Sequence, residues 1–204
     1  MRRESARFSE DRRHILLALR APQTYDGFPG DGGIMREILV GLTLLMSFGS
    51  SVCAQTLNEN RASCDSKEPD VSIPGCTALI QSGKETNPGN LSVAYYNRAA
   101  VYFFKGMLDP SPADFNKGIA LKPDDPNTFL GRGVVYLKKE RYDQAISDFT
   151  RTIALQPDRA NAYSIRGQTY EKKNERDNAV ADYRAALKLN PNDKSAKEAL
   201  ERLK

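Results

Sequence analysis

Residues 126–159 read PNTFLGRGVVYLKKERYDQAISDFTRTIALQPDR, and a shift of 34 positions lays this stretch over related versions of itself on both sides. The shift aligns Pro123, Pro157 and Pro191. It also aligns Tyr95, Phe129 and Tyr163; Tyr102, Tyr136 and Tyr170; and Phe115, Phe149 and Tyr183. Small residues form three columns: Ala99, Gly133 and Gly167; Ser111, Ala145 and Ala179; Gly118, Thr152 and Ala186. Leu121, Leu155 and Leu189 make a further column. A fixed period of this length marks a stack of repeated supersecondary units.

Each unit reads as two helices. In 126–139, Phe129, Tyr136 and Leu137, with small Gly133 between them, keep to one helical face. In 143–155, Ala145, Ile146, Phe149, Ile153 and Leu155 do the same. The small columns allow paired helices to approach, and the aromatic columns fill the space around them. Proline closes each unit because it cannot continue a helix and disfavours the α conformation in its predecessor. Asp124, Asp158 and Asp193 lie near those prolines, where an Asp side chain can cap the next helix.

The pattern resembles the tetratricopeptide repeat. That family's signature of large, small, Tyr, Ala, Phe, Ala and Pro columns stands here as Phe129, Gly133, Tyr136, Ala145, Phe149, Thr152 and Pro157. The next unit carries it as Tyr163, Gly167, Tyr170, Ala179, Tyr183, Ala186 and Pro191, and the resemblance covers residues 92–191. It implies an all-α, right-handed superhelical solenoid of antiparallel helix pairs, with the first helix of each pair lining a concave face. The units are 92–125, 126–159 and 160–191. Residues 192–204 form a capping helix, with Ala196, Leu200 and Leu203 on one face and a wet outer side.

The start of the array departs from the pattern. Pro110 and Pro112 predict a late second helix in the first unit, with Ser111 as N-cap and Asp114 just behind. Residues 55–91 read as a half-unit. Its lone second helix spans 74–83, with Pro74 early and Gly83 past the end. Cys64 and Cys76, an even pair in an exported chain, are read first as a disulfide. The bridge would tie residues 56–66 across that lone helix in place of a partner. A redox-active pair is the sharper alternative, but the spacing is not C-x-x-C.

Residues 38–48 (ILVGLTLLMSF) are apolar and uncharged. They follow Met35-Arg36-Glu37 and precede small residues ending in Val52-Cys53-Ala54. This is the order of a signal peptide over 35–54, cut after Ala54. At ~1.5 Å per residue the run spans about 16 Å, short of the ~30 Å hydrocarbon core. A retained membrane anchor is the alternative. Residues 1–34 read as a gene-start artefact or disordered extension, with translation from Met35 rather than Met1. Within them, Arg12-Arg13 resembles a twin-arginine signal but sits far from the apolar run. A lipoprotein site at Cys53 lacks the Leu-led box that such sites carry. The expected location is periplasmic or secreted, with membrane contact only during export.

The composition leans against an enzyme. The single histidine, His14, precedes the expected mature chain, which removes imidazole bases, triads and His-ligated zinc. No phosphate-binding Gly loop, metal spacing or nucleophile–base pair occurs in 55–204, so neither cofactor nor metal is implied. A net charge of +4 with no long basic run gives no argument for nucleic acid. The expectation is a non-catalytic interaction scaffold, monomeric or weakly oligomeric, for an unidentified protein or peptide partner.

Candidate groove residues lie a turn from the helix seam on each first helix. They are Val93, Tyr96, Ala100 and Phe103; Asn127, Leu130, Val134 and Leu137; and Asn161, Ser164, Gln168 and Glu171. Family members that grip acidic chaperone tails use a Lys/Asn/Arg clamp. The matching positions here hold Tyr96, Ala100, Gly131, Asn161 and Ile165, so that partner class is not carried over. Two columns outside the family signature, Arg98, Arg132, Arg166 and Asp114, Asp148, Asp182, flank the seam and predict a structural ion-pair ladder. The alternative use of that arginine row is to hold anionic ligands. Lys138, Lys139 and Arg141, echoed by Lys172, Lys173 and Arg176, form basic turns that could dock on an anionic surface. N-terminal sequencing of the exported protein is expected to start at Gln55; recovery of chains that retain 35–54 would convert the signal into an anchor.

Overall fold

The computed structural model describes residues 47–204, with side chains from residue 56. Residues 1–34, His14 included, and most of the apolar run lie outside the described residues. Nine helices and no strand occur among those described: α1 Ser47–Cys64, α2 Pro69–Gln81, α3 Pro88–Phe104, α4 Ser111–Leu121 and α5 Pro126–Lys138, then α6 Tyr142–Leu155, α7 Ala160–Lys172, α8 Arg176–Leu189 and α9 Lys194–Arg202. None is long and apolar enough to cross a membrane. Each helix packs chiefly on its chain neighbours, and α3 also touches α1 and α5, which makes a one-dimensional stack of helix pairs.

Helix starts are set by caps, and these correct the expected ones. Asp125, not Asp124, caps α5 by accepting from the Asn127 amide at 3.2 Å. Asn87 caps α3 and Asp193 caps α9. At α7 the column breaks: Asp158 does not cap it, and the residue in the cap position is Arg159, with no side-chain cap bond. Ser111 is the first residue of α4 rather than its cap, and its hydroxyl donates to the Ala99 carbonyl at 2.8 Å.

Pair closure uses a turn that the 34-residue columns did not reveal. Gly106, Glu140 and Asn174 share φ values of 74°, 58° and 62°. In each turn two successive amides bond back to the carbonyls of the preceding helix, for example Glu140 to Leu137 and Arg141 to Tyr136. This is the Schellman closure, which needs a left-handed residue. Glu140 takes that conformation without the freedom of glycine.

Inside each pair the small column meets the aromatic column. A Cβ on Gly133 would lie 2.6 Å from the Phe149 ring. Phe115 and Phe149 are fully buried, and Tyr183 nearly so. Phe115 also meets Tyr96 edge-on at 5.8 Å. These residues belong to cores that run along the stack rather than filling one globule.

The N-terminal segment is a helix pair, not a lone second helix. Helix α1 occupies the place of the expected missing partner, and α2 begins at Pro69, with Pro74 inside it rather than near its start. Its register follows from one hydrogen bond: Ser72 Oγ donates to the Cys64 carbonyl at 2.9 Å, as Ser111 does to Ala99. Cys64 therefore stands in the small column, and Cys76, four residues beyond Ser72, stands in the aromatic column. The two are disulfide-bonded with Cα atoms 4.3 Å apart. Gly75 takes the place of the Asp column. A Cβ there would come within 2.5 Å of Ser63 Cβ, so a larger residue would hold the helices apart.

The disulfide thus replaces the aromatic plug of the other pairs. For a sequence separation of 12, loop closure is worth about 3 kcal/mol in the chain-entropy model. Replacing Cys64 and Cys76 together by Ser is expected to lower unfolding free energy by about that amount. Free-thiol titration of the native chain should find no reactive pair; two titratable thiols would overturn the bridge.

Candidate functional site

One arginine per unit organises the outer seam. Arg132 Nε and Nη2 donate to both oxygens of Asp148 at 2.9 and 2.6 Å, and Nη1 reaches Asn116 on the previous unit's second helix at 2.6 Å. Arg166 repeats this with Asp182 and Thr150. Arg98 repeats it with Asp114 and, in the N-terminal pair, Thr77. The aromatic columns flank the same guanidinium: Phe129 and Tyr136 lie 5.7 and 5.8 Å from Arg132, and Tyr163 and Tyr170 each lie 5.9 Å from Arg166. Carboxylate hydrogen bonds, outweighing burial, raise the pKa of each of the three arginines above its ordinary value. The row is thereby occupied within the chain.

Three residues of the basic turns are also paired within the chain. Lys139 bonds Asp109 at 2.5 Å, Lys173 bonds Asp143 at 2.7 Å, and Arg176 donates to the Leu203 carbonyl. A shallow open pocket of about 340 Å³ between Glu140 and Lys173 lies beside these turns.

The opposite face of the first helices differs from the apolar groove expected. Leu130 and Val134 have no exposed surface, and Tyr96, Ala100, Phe103 and Ser164 are buried as well. Successive first helices pack directly on one another, and this contact consumes the apolar positions. Asn127, Asn161 and Gln168 stay half-exposed, so the open part of the face is polar.

The residue that dominates this face is Arg159, which the repeat columns did not single out. It stands 34 positions from Asp125 and from Asp193, both N-caps, and so breaks a capping column. A cation at a helix N-terminus opposes the helix dipole. The guanidinium bonds the amide oxygens of Asn127 at 2.7 Å, Asn161 at 3.2 Å and Gln156 at 3.4 Å. Burial lowers its pKa, opposed by the nearby Tyr96 and Asp125, while burial raises that of the Tyr96 phenol. The guanidinium is thus partly desolvated, bonded to three amide oxygens and near the Asp125 carboxylate, beside the open polar part of the face.

Sequence profiles for the tetratricopeptide repeat match residues 92–125 and 130–194. Over those residues the chain is similar to tetratricopeptide repeats, and its all-α fold is TPR-like. Solved structures agree in architecture. The Arabidopsis OM64 TPR domain is 24% identical with a TM-score of 0.56, over 57% of this chain and 97% of that one. The first TPR of Spaghetti (RPAP3), bound to the HSP90 peptide SRMEEVD, is 25% identical with a TM-score of 0.55, over 56% of this chain and 91% of that one. MamA is 18% identical with a TM-score of 0.62, over 78% of this chain and 82% of that one, a likeness of fold. No curated protein sequence matches the chain.

In this TPR-like array the Arg rungs belong to the scaffold and the Arg159 group to the open face. Arg132→Ala or Asp148→Ala alone is expected to cost about 3 kcal/mol, because each leaves a partly buried charge without its partner. A double-mutant cycle should show coupling of at least ~1 kcal/mol. Additive losses would remove the rung.

Proposed function

We propose that the protein is a non-catalytic interaction scaffold of the cell envelope, which holds a peptide segment of a partner along the concave face of its repeat array. The observation that carries this reading is Arg159, a capping position given up to a desolvated cation between Asn127 and Asn161. Arg159 gives up the cap and ties α7 to Asn127 on α5 instead, which sets a cation beside the half-exposed asparagines. A break in a local rule is where function is looked for first. The asparagine amides can pair with both N–H and C=O groups of an extended backbone, and Arg159 can take a carboxylate or carbonyl. Affinity then comes from a small polar anchor on a pre-ordered frame rather than from apolar side chains. The RPAP3 domain bound to its HSP90 peptide supplies the precedent for peptide capture by this fold.

Export through the 35–54 segment fits the same reading. In the regular pairs the first helix begins seven residues before the small column, at Pro126 for Gly133 and Ala160 for Gly167. The same count back from Cys64 reaches Leu57; α3 starts earlier, at Pro88, and α1 itself runs from Ser47, so a cut after Ala54 shortens α1 but keeps its residues 55–64. The disulfide suits an oxidising compartment.

Affinity capture from envelope extract tests the scaffold, with the exported chain as bait. Arg159→Ser is the diagnostic variant, since serine supplies an N-cap and keeps α7 folded. Its melting temperature is expected to match or exceed that of the native chain, and its captured partner to fall at least tenfold. Arg184→Ser on the exposed side of α8 should capture normally. Equal capture by all three baits would move the binding site off this face.

A further inference from the structure

The surface cations of the stack fall into two groups. Along the edge where the helices turn they are paired: Lys105 with Asp70, Lys139 with Asp109, Lys173 with Asp143, and Arg202 with Glu171. On the outer side of the second helices they are not. Lys117 on α4, Arg151 on α6, and Arg184 and Lys188 on α8 are exposed. Among the described residues, none of these four makes an ion pair.

The repeat register puts the four on one strip. Lys117 and Arg151 share a column, 34 residues apart; Arg184 stands one position before that column and Lys188 three after it. Positions three and four apart adjoin on a helix. The residues one turn before and after these cations are Ala113, Ala120, Ser147, Ala154 and Ala181, all exposed and all ending in a methyl or hydroxyl group. The carboxylates of the same helices are withdrawn from the strip. Asp114, Asp148 and Asp182 are buried in the Arg rungs. The exposed acids stand at the helix ends, Asp143 and Asp177 in first turns, Asp124 and Asp158 in the loops after α4 and α6.

We propose that this outer face docks the protein on an anionic lipid surface through the headgroup phosphates. The arrangement of the cations chooses that occupant. They are spread over three successive units rather than converging, so a small anion meets them singly and a charged surface meets all four. A protein interface buries aromatic or arginine anchors in pockets, and the short residues between these cations form no such pocket. The same short residues leave the Lys and Arg stems to extend into a headgroup layer, where attraction grows with each cation. Without an apolar anchor the docking is electrostatic, and salt reverses it. The face lies on the second helices, away from Arg159 and the first helices, so a docked chain keeps its concave side open. Membrane contact then continues beyond export.

Co-sedimentation of the exported chain with vesicles tests this. The native chain is expected to bind vesicles of phosphatidylglycerol and phosphatidylcholine in equal parts, to ignore pure phosphatidylcholine, and to be released as NaCl is raised. Lys117→Gln with Arg151→Gln should weaken binding at least tenfold, with helicity unchanged because both sites are exposed. The charge-matched control, Lys172→Gln with Arg159→Ser, removes two cations from other faces and should bind as the native chain does. No binding to the anionic vesicles, or equal weakening by the two double variants, would overturn the proposal. Saturable binding of a soluble oligoglutamate peptide without vesicle binding would overturn it too, since the face would then belong to an acidic protein.

Discussion

A single half-buried guanidinium in each of the three repeat units fixes the geometry on which the rest of the stack depends. It is bidentate to a carboxylate on its own second helix, it reaches a hydroxyl or amide on the preceding second helix, and aromatic rings flank it. One side chain therefore sets helix spacing within a unit and register between units. Charge and planarity both matter, since a lysine could neither span two oxygens in parallel nor stack between rings. The outer seam is closed by this polar network, so the apolar residues are left to line the contacts within each pair and between successive first helices.

The N-terminal pair solves the same problem with different chemistry. Its Arg, Asp and aromatic positions hold Ser63, Gly75 and Cys76, and its small position holds Cys64. Loss of the Asp side chain lets the helices close until a covalent bridge spans them. The pair is also one turn short, too small to rely on burial alone, and a crosslink that limits the unfolded chain suits such an element. Arg61 adds a second tie: it bonds Glu85, which is buried and also accepts from the Asn87 amide and the Asn90 side chain. Thr77 still accepts from Arg98, so the short pair is wired into the array by the same rung that joins the others.

The departures from periodicity carry more functional information than the columns do. Column residues repeat because every unit must meet its neighbour in one way, and this makes them scaffold. Arg159 replaces a capping aspartate, and Phe104 replaces a surface lysine. Neither substitution is required by packing within the unit that contains it. Arg159 lies on the open face of the first helices, and Phe104, 45% exposed, at the shortened end of the stack.

The sequence by itself determined the repeat length, the helix-pair unit, the small and aromatic columns, the Arg and Asp columns and the pairing of the two cysteines. All of these rest on residue type at fixed spacing, which one dimension records in full. Only the tertiary structure decided which apolar residues face solvent. Leu130 and Val134 have the spacing of a groove wall, yet the next first helix packs on them, and no spacing within one helix reports the distance to another. The N-terminal pair was hidden for a related reason. Four residues are missing between the two helices and five are extra before Ala99, so Cys64 and Cys76 fall outside the 34-residue frame, and their equivalence to Ala99 and Phe115 appears only when the Ser72 and Ser111 hydrogen bonds are superposed. Arg159 was equally silent as a letter in the chain, because its meaning comes from the cap it displaces and from Asn127, 32 positions away, which folding brings to its guanidinium.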